Sequence, residues 1–201
     1  LPQLPIEVWE NVIDHLWDNQ WDLLECRLVC RAWYPLSRFH LDRKIWFSSS
    51  KGAKAYVKML KQRPELSKRA QNMDMYGCWG DLSALSLAAI LLARKLPQLE
   101  TLMIWESTWK PWTMHRDVFL HLSAFSVTSL VLLYVRFPSI TVFGRLVCAL
   151  PRLVELECHT LQFTHDHFHR DTFGPYRDRV NIRYLKLTGD LQRIEKLIDF
   201  L

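Results

Sequence analysis

The densest set of metal-binding side chains lies in "HTLQFTHDHFH", which places His159, His165, His167 and His169 around Asp166. Imidazoles alternating along an extended loop could share one side of it and ligate zinc, which takes nitrogen, sulfur or oxygen donors in a tetrahedron. No cysteine pair or second cluster stands nearby to complete four ligands, so a solvated loop is the preferred reading and no metal is expected. Cys26 and Cys30 are one helical turn apart, and beside Leu28 and Val29 they read as small core hydrophobes. The glycines, at 52, 77, 80, 144, 174 and 189, are too widely spaced for a phosphate-cradling loop. No G-x-S-x-G string occurs, and no Ser, His and Asp can be placed together from sequence. Neither a catalytic residue nor a cofactor is expected.

A second chemistry to weigh is phosphate binding. Lys51, Lys54, Lys58 and Lys61 recur every three or four residues and so share a helical face that could meet a nucleic-acid backbone. A solvated face, or one that meets an acidic protein, explains the same spacing and is preferred. The charge placement around these lysines is lopsided. From residue 1 to 26 every charged side chain is acidic, and from 27 to 70 most are basic, which suggests a boundary or a polarised surface.

Bulk properties narrow the classes further. The chain has 201 residues, 49% of them apolar, and a formal net charge of +5, so it is neither a disordered polymer nor a polycation. Its length suits one elongated domain or two small ones. Five cysteines without regular spacing do not read as an extracellular disulfide framework, which favours a reducing compartment, the cytosol or nucleus. The longest apolar run, "LSALSLAAILLA", is shorter than the roughly 20 residues that cross a bilayer, so no membrane partner is expected. The first residue is Leu1 rather than Met, so residues before it are expected to be missing.

The elements that would position any site begin with three short helices. Pro5 suits a first helical position, where its missing N–H is harmless, and Glu7 follows in the first turn. Ile6, Trp9, Ile13 and Leu16, with Val8, Val12 and Trp17, form an apolar stripe wider than one face needs. Asp22 with Glu25 has the form of a capping box opening a second helix, which should end near Tyr34, before Pro35. Leu36, Phe39 and Leu41 supply a third element. Such a bundle is too small to cover its own apolar surface. Its surplus either meets a partner or packs on the rest of the chain, and periodicity alone leaves both open.

The string Leu4-Pro5-x-Glu7, then Ile13 and Leu16, then Leu24, then Leu28-Val29-Cys30-Arg31-x-Trp33, resembles the F-box motif over about residues 4 to 47. In that family the motif is a three-helix module that docks on the Skp-type adaptor of a cullin–RING ubiquitin ligase. The resemblance implies that Leu4, Pro5, Ile6, Ile13, Leu16, Leu24, Val29 and Cys30 lie at or beneath the adaptor surface, and that Trp33 anchors the helices to one another. "WDNQW" (17–21) departs from the family's short proline or aspartate turn, which makes Trp17 and Trp21 either extra contacts or a local repacking.

From residue 70 a short pattern recurs as "AQNMDMYG" (70–77), "LETLMIW" (99–105), "VTSLVLL" (127–133), "LVELECH" (153–159) and "IRYLKLT" (182–188). The central residues Met73, Leu102, Leu130, Leu156 and Leu185 stand 29, 28, 26 and 29 apart, which signals a repeat architecture, and alternation marks each copy as a strand. Helical segments are expected at 82–96, with Leu82, Leu85, Leu92 and Leu96 on one face, and at about 140–150, capped by Ser139 or Thr141. A weaker helix is expected at 114–125, an irregular stretch at 164–180 and a terminal helical pattern in "DLQRIEKLIDFL". Residues 48–69 contain a basic helix with Ala53, Tyr56, Val57 and Leu60 inward, read as continuous with the repeats rather than as a free linker.

The pattern L-x-x-L-x-[LIC] is similar to the leucine-rich repeat in its long variety, and leucine-rich repeats after an F-box are a familiar arrangement. The asparagine that usually follows the strand is absent. The expected fold is therefore α/β: a three-helix F-box at 1–47, a linking or capping helix at 48–69, and a leucine-rich-repeat-like solenoid at 70–201 with a parallel sheet on its concave face.

Residues between the core leucines of a strand point to the other face. They give three rows: Asn72, Thr101, Ser129, Glu155, Tyr184; then Asp74, Met103, Val131, Glu157, Lys186; then Tyr76, Trp105, Leu133, His159, Thr188. From these rows Tyr76, Thr101, Met103, Trp105, Glu155, Glu157, His159, Tyr184 and Lys186 are the candidates for binding a protein substrate, with Trp105 and Tyr76 as anchors. The combined expectation is a non-catalytic substrate receptor of a ubiquitin ligase. The alternative is a scaffold, or a basic nucleic-acid-associated repeat protein, built on the same elements.

Overall fold

The computed structural model describes residues 4–77, 80–165 and 181–189. The chain divides into two compact units, residues 1–45 and 46–201. The change from acidic to basic composition at residue 26 falls inside a helix, so it marks no boundary between units.

The first unit has three helices: α1 (Ile6–His15), α2 (Gln20–Val29) and α3 (Tyr34–Arg43). Pro5 precedes α1 as its cap, one position earlier than expected, and its carbonyl accepts from the Val8 N–H. The second helix also starts earlier than the Asp22 capping box implies. Asn19 is the cap: its side chain accepts from the Asp22 N–H at 3.3 Å while its Nδ2 donates to the Asp22 carboxylate at 2.6 Å. Asp22 is thus the third helical residue, where a carboxylate meets the positive helix end. At the other end α2 stops at Val29, and Pro35 lies in the first turn of α3, where proline is tolerated, instead of terminating α2.

The core of this unit is Ile13, Leu23 and Cys26, with Leu16, Trp33, Leu36 and Leu41 packed around them. Trp33 meets Trp9 with ring centroids 4.8 Å apart and so ties α1 to the segment entering α3. His40 Nε2 lies 2.7 Å from the Asp14 carboxylate, a second tie between α1 and α3.

The second unit is α/β. After β1 (Lys44–Phe47), which straddles the division between units, come α4 (Ser50–Gln62), β2 (Asn72–Tyr76), α5 (Ser83–Leu92), β3 (Thr101–Thr108), α6 (Val118–Leu122), β4 (Ser129–Ser139), α7 (Ile140–Cys148), β5 (Glu155–His159), β6 (Gln162–His165) and β7 (Tyr184–Thr188). The seven strands form one sheet ordered β1-β2-β3-β4-β5-β7, with β6 paired to β4. Strands β1 and β6 were not expected from the sequence. The expected irregular stretch beyond His165 and the terminal helical pattern from Asp190 lie outside the described residues.

Register follows the repeat spacing. Met73, Leu102, Leu130, Leu156 and Leu185 pair in one line across β2, β3, β4, β5 and β7, all parallel. The first four are fully buried. Leu185, expected in the core, is instead 39% exposed; among the described residues β7 pairs with β5 alone. Just before each strand one carbonyl accepts two N–H groups from the next unit: Gln71 from Glu100 and Thr101, Glu100 from Thr128 and Ser129, Thr128 from Val154 and Glu155, Val154 from Arg183 and Tyr184. Sharing of this kind satisfies the backbone groups at the strand entrances.

At the other end of the strands a second column forms. Glu106, Tyr134 and Thr160 have φ of 43°, 55° and 51°, and Gly189 has φ of 117°. Each is the residue after the third face row. A left-handed residue turns the strand, and pairing resumes beyond it as Ser107 with Val135 and as Phe137 with Phe163. Aromatic rings fill the core there, with Phe137 meeting Trp109, Phe143 and Phe163.

The helices seat this sheet with their expected apolar faces. Leu82, Leu85, Leu92 and Leu96 are all buried along and beside α5. Ser139 caps α7 by accepting from the Val142 N–H, and Ser49 caps α4 by accepting from the Gly52 N–H. The weak helix expected at 114–125 is reduced to the short α6.

Candidate functional site

Two surfaces hold the residues that the sequence singles out, and each belongs to one unit.

On the first unit, the core takes one side of each helix and leaves a second apolar side outward. In α2, Leu23 and Cys26 point inward, while Trp21, Leu24 and Leu28, spaced three and four apart, share the opposite stripe. Trp21 is 80% and Leu28 72% exposed. In α1, Val8 and Val12 form a similar outward pair, and Trp17 is also exposed, so the "WDNQW" tryptophans are not repacked into the core.

The expected contact residues divide accordingly. Leu4, Pro5, Ile6, Val29 and Cys30 are exposed, and Leu16 and Leu24 are half-buried. Ile13 is wholly buried and can act on a partner only by supporting the helices above it. Cys30 corrects the reading of both cysteines as core. Because α2 ends at Val29, Cys30 has extended backbone (φ −159°) and its thiol is exposed, while Cys26 is buried. Burial, with the Asp22 carboxylate adding to it, pushes the Cys26 thiol up from its ordinary range. Val8, Val12 and Trp21 are surface residues outside the motif string, and Leu28 is a motif residue that was not among the expected contacts. For Val8 and Val12 the signal is the excess width of the first apolar stripe.

On the second unit, the sheet face opposite the buried leucines carries the three rows in register. Thr101 lies between Asn72 and Ser129, Met103 between Asp74 and Val131, and Trp105 between Tyr76 and Leu133. Glu155, Glu157 and His159 on β5 continue the rows to Tyr184, Lys186 and Thr188 on β7. Tyr76 meets Trp105 edge to face at 5.8 Å, and Trp105 is 43% exposed. An aromatic edge contact of this type holds the indole in place while its other face stays open.

The β5–β7 end is a connected polar network. Glu157 accepts from Lys186 Nζ at 2.5 Å and lies 2.7 Å from His159 Nε2, while the Thr188 hydroxyl meets His159 Nδ1 at 2.5 Å. The hydrogen bond from Lys186, followed by that from His159, holds the Glu157 carboxyl below the usual carboxylate range. Its own hydrogen bond to Glu157 raises Lys186. Glu155, in the row below, is exposed and has no ion pair among the described residues. Beneath this network Cys158 is buried, and desolvation pushes its thiol well above the ordinary range, which makes it inert.

Other constellations do not assemble. His159 and His165 are described, whereas His167 and His169 lie outside the described residues. Among the described residues no three His, Cys, Asp or Glu side chains gather as a metal site, and no helix is long and apolar enough to cross a membrane. Lys51, Lys54, Lys58 and Lys61 of α4 are all exposed.

The geometry is thus that of two surfaces, one apolar on short helices and one mixed on a sheet. Compared with known proteins, the chain matches no family model, and no curated protein or solved structure is found similar to it.

Proposed function

We propose that the chain is the substrate-recognition subunit of a Skp–cullin–F-box ubiquitin ligase, with α1 to α3 as an F-box that binds the adaptor and the sheet face, read as leucine-rich-repeat-like, taking a protein substrate. The observation that carries this reading is the outward apolar stripe of the first unit. Leu4, Ile6, Val8, Val12, Trp21, Leu28 and Val29 remain exposed although Ile13, Leu23 and Cys26 already fill a core. Large exposed apolar patches on folded domains mark interaction sites. The F-box-like string of residues 4 to 33 supplies the identity of the partner.

The chain then does no chemistry. It raises the effective concentration of a substrate next to a ubiquitin-charged enzyme held elsewhere in the assembly, in the cytosol or nucleus. The test is co-purification of the full chain with a Skp-type adaptor. Capture is expected, and it should weaken sharply in a Leu4→Ala/Pro5→Ala variant whose circular dichroism is unchanged. Failure to capture the adaptor, together with salt-sensitive nucleic-acid retention that disappears on neutralising Lys54, Lys58 and Lys61, would replace this reading with the nucleic-acid one.

A further inference from the structure

The class of segment that fits the sheet face follows from its charges. Within the three rows, the positions on β2 to β5 include three acids, Asp74, Glu155 and Glu157, and no lysine or arginine; Arg136, farther along β4 beyond the turn at Tyr134, is exposed and bonds the Gln162 side chain. Within the rows the first cation is Lys186 on β7, and Glu157 already holds it at 2.5 Å. The remaining basic group, His159, has both ring nitrogens engaged, by Glu157 and by Thr188. A phosphoryl group laid on the rows at β5 would sit against the Glu155 and Glu157 carboxylates, the opposite of the arginine-rich sites that read phosphates. Glu155, by contrast, offers an exposed carboxylate.

The apolar part of the face lies beside it. Trp105 is held by Tyr76 and flanked by Leu133, with Met103 and Val131 two residues back on the same strands. A clamped indole with an open face is the type of aromatic that dominates recognition. Trp105 and Glu155 are two strands and two rows, or four residues along the strand, apart. At ordinary strand spacing that is about 16 Å, the reach of about five residues of extended chain.

We propose that this face binds an unphosphorylated segment of a protein partner that carries one large apolar side chain, seated on Trp105 and Leu133, and an arginine or lysine about five residues away, paired with Glu155. The proposal deepens the substrate-receptor reading, and rests on it for the role of the face, but not for the chemistry.

The test is selection by the full chain from a displayed library of random twelve-residue peptides, followed by fluorescence polarisation of the enriched peptides and of versions carrying phosphoserine or glutamate at the basic position. Enrichment of apolar-plus-basic sequences is expected. Affinity should fall about tenfold or more with Trp105→Ala and with Glu155→Lys, and Glu155→Lys should recover binding of the glutamate-bearing peptide. Enrichment of acidic sequences, stronger binding of the phosphoserine versions, indifference to both substitutions, or no enrichment would each overturn the proposal. Adaptor capture, measured on the same preparation, separates the two readings. Capture with the wrong peptide class sinks this proposal alone, while the right peptide class without capture sinks the receptor reading alone.

Discussion

Thr160 makes the left-handed column at the ends of the strands open to measurement. Its φ of 51° is unusual for any residue with a Cβ and more so for a β-branched one. The left-handed region costs an L-residue about 1–2 kcal/mol, which glycine escapes, while glycine in turn gives up about 0.4–1 kcal/mol to its freer unfolded chain. Comparing Thr160→Gly with Thr160→Ala removes the hydroxyl and methyl from the comparison, so glycine should be the more stable variant by about 0.5–1 kcal/mol. At Gln162, an exposed residue of the extended β6, the order should reverse by a similar amount. The swing between the two sites is about 1–2 kcal/mol, or several degrees in Tm for a chain of this size. Because the chain has two units, urea unfolding followed by far-ultraviolet circular dichroism should be paired with hydrogen exchange at the Thr160 amide, which donates to the Thr188 carbonyl at 2.9 Å. If alanine equals or exceeds glycine at 160, and likewise at Glu106 and Tyr134, the claim that this column stores backbone strain is wrong.

Three other measurements bear on the geometry. A Cβ added at Gly77 would lie 2.3 Å from the Ser107 hydroxyl oxygen and 3.1 Å from the Glu106 carbonyl, so Gly77→Ala should cost about 1–3 kcal/mol by urea titration. Adding Ser107→Gly should restore most of that loss. Cys30 should react with a maleimide in the native chain, whereas buried Cys26 and Cys158, their thiols pushed up by burial, should react only on unfolding; mass spectrometry of the labelled peptides decides. The lowered Glu157 carboxyl contributes stability that is present above the ordinary glutamate range and lost as pH falls through and below it. Glu157→Gln should therefore be less stable than the parent at about pH 7, and the deficit should shrink as pH falls below the ordinary glutamate range, in unfolding titrations run at about pH 7 and about pH 3. An equal deficit at both pH values would show that the network with Lys186 and His159 does not depend on the charge of Glu157.

What was readable in the sequence followed from repetition. Met73, Leu102, Leu130, Leu156 and Leu185 stand at near-equal intervals, and parallel pairing without offset brings them into one line, so the face rows could be written down residue by residue. Elements without copies were harder. Strand β1 has four residues inside a basic stretch, and its alternation of buried Ile45, outward Trp46 and buried Phe47 is too short to stand out. Strand β6 resumes after the turn at Thr160, which no glycine or asparagine announces. The α2 start was misplaced because Asn19 and Asp22 both have capping chemistry, and only the backbone decides which is the cap. On the first surface, motif positions and exposed positions overlap only in part. Ile13 satisfies the pattern from inside, and Val12 and Trp21 extend the surface outside it.

Pairing without offset also limits how such a chain can change length. Excising residues 102–129 would join Thr101 to Leu130, which would take the place of its equivalent Leu102, and every side chain downstream would keep its orientation. Dropping a single residue within a strand would turn the rest of that strand inside out, sending glutamates into the aliphatic layer and leucines into water. The wall can therefore gain or shed whole rungs far more easily than single residues.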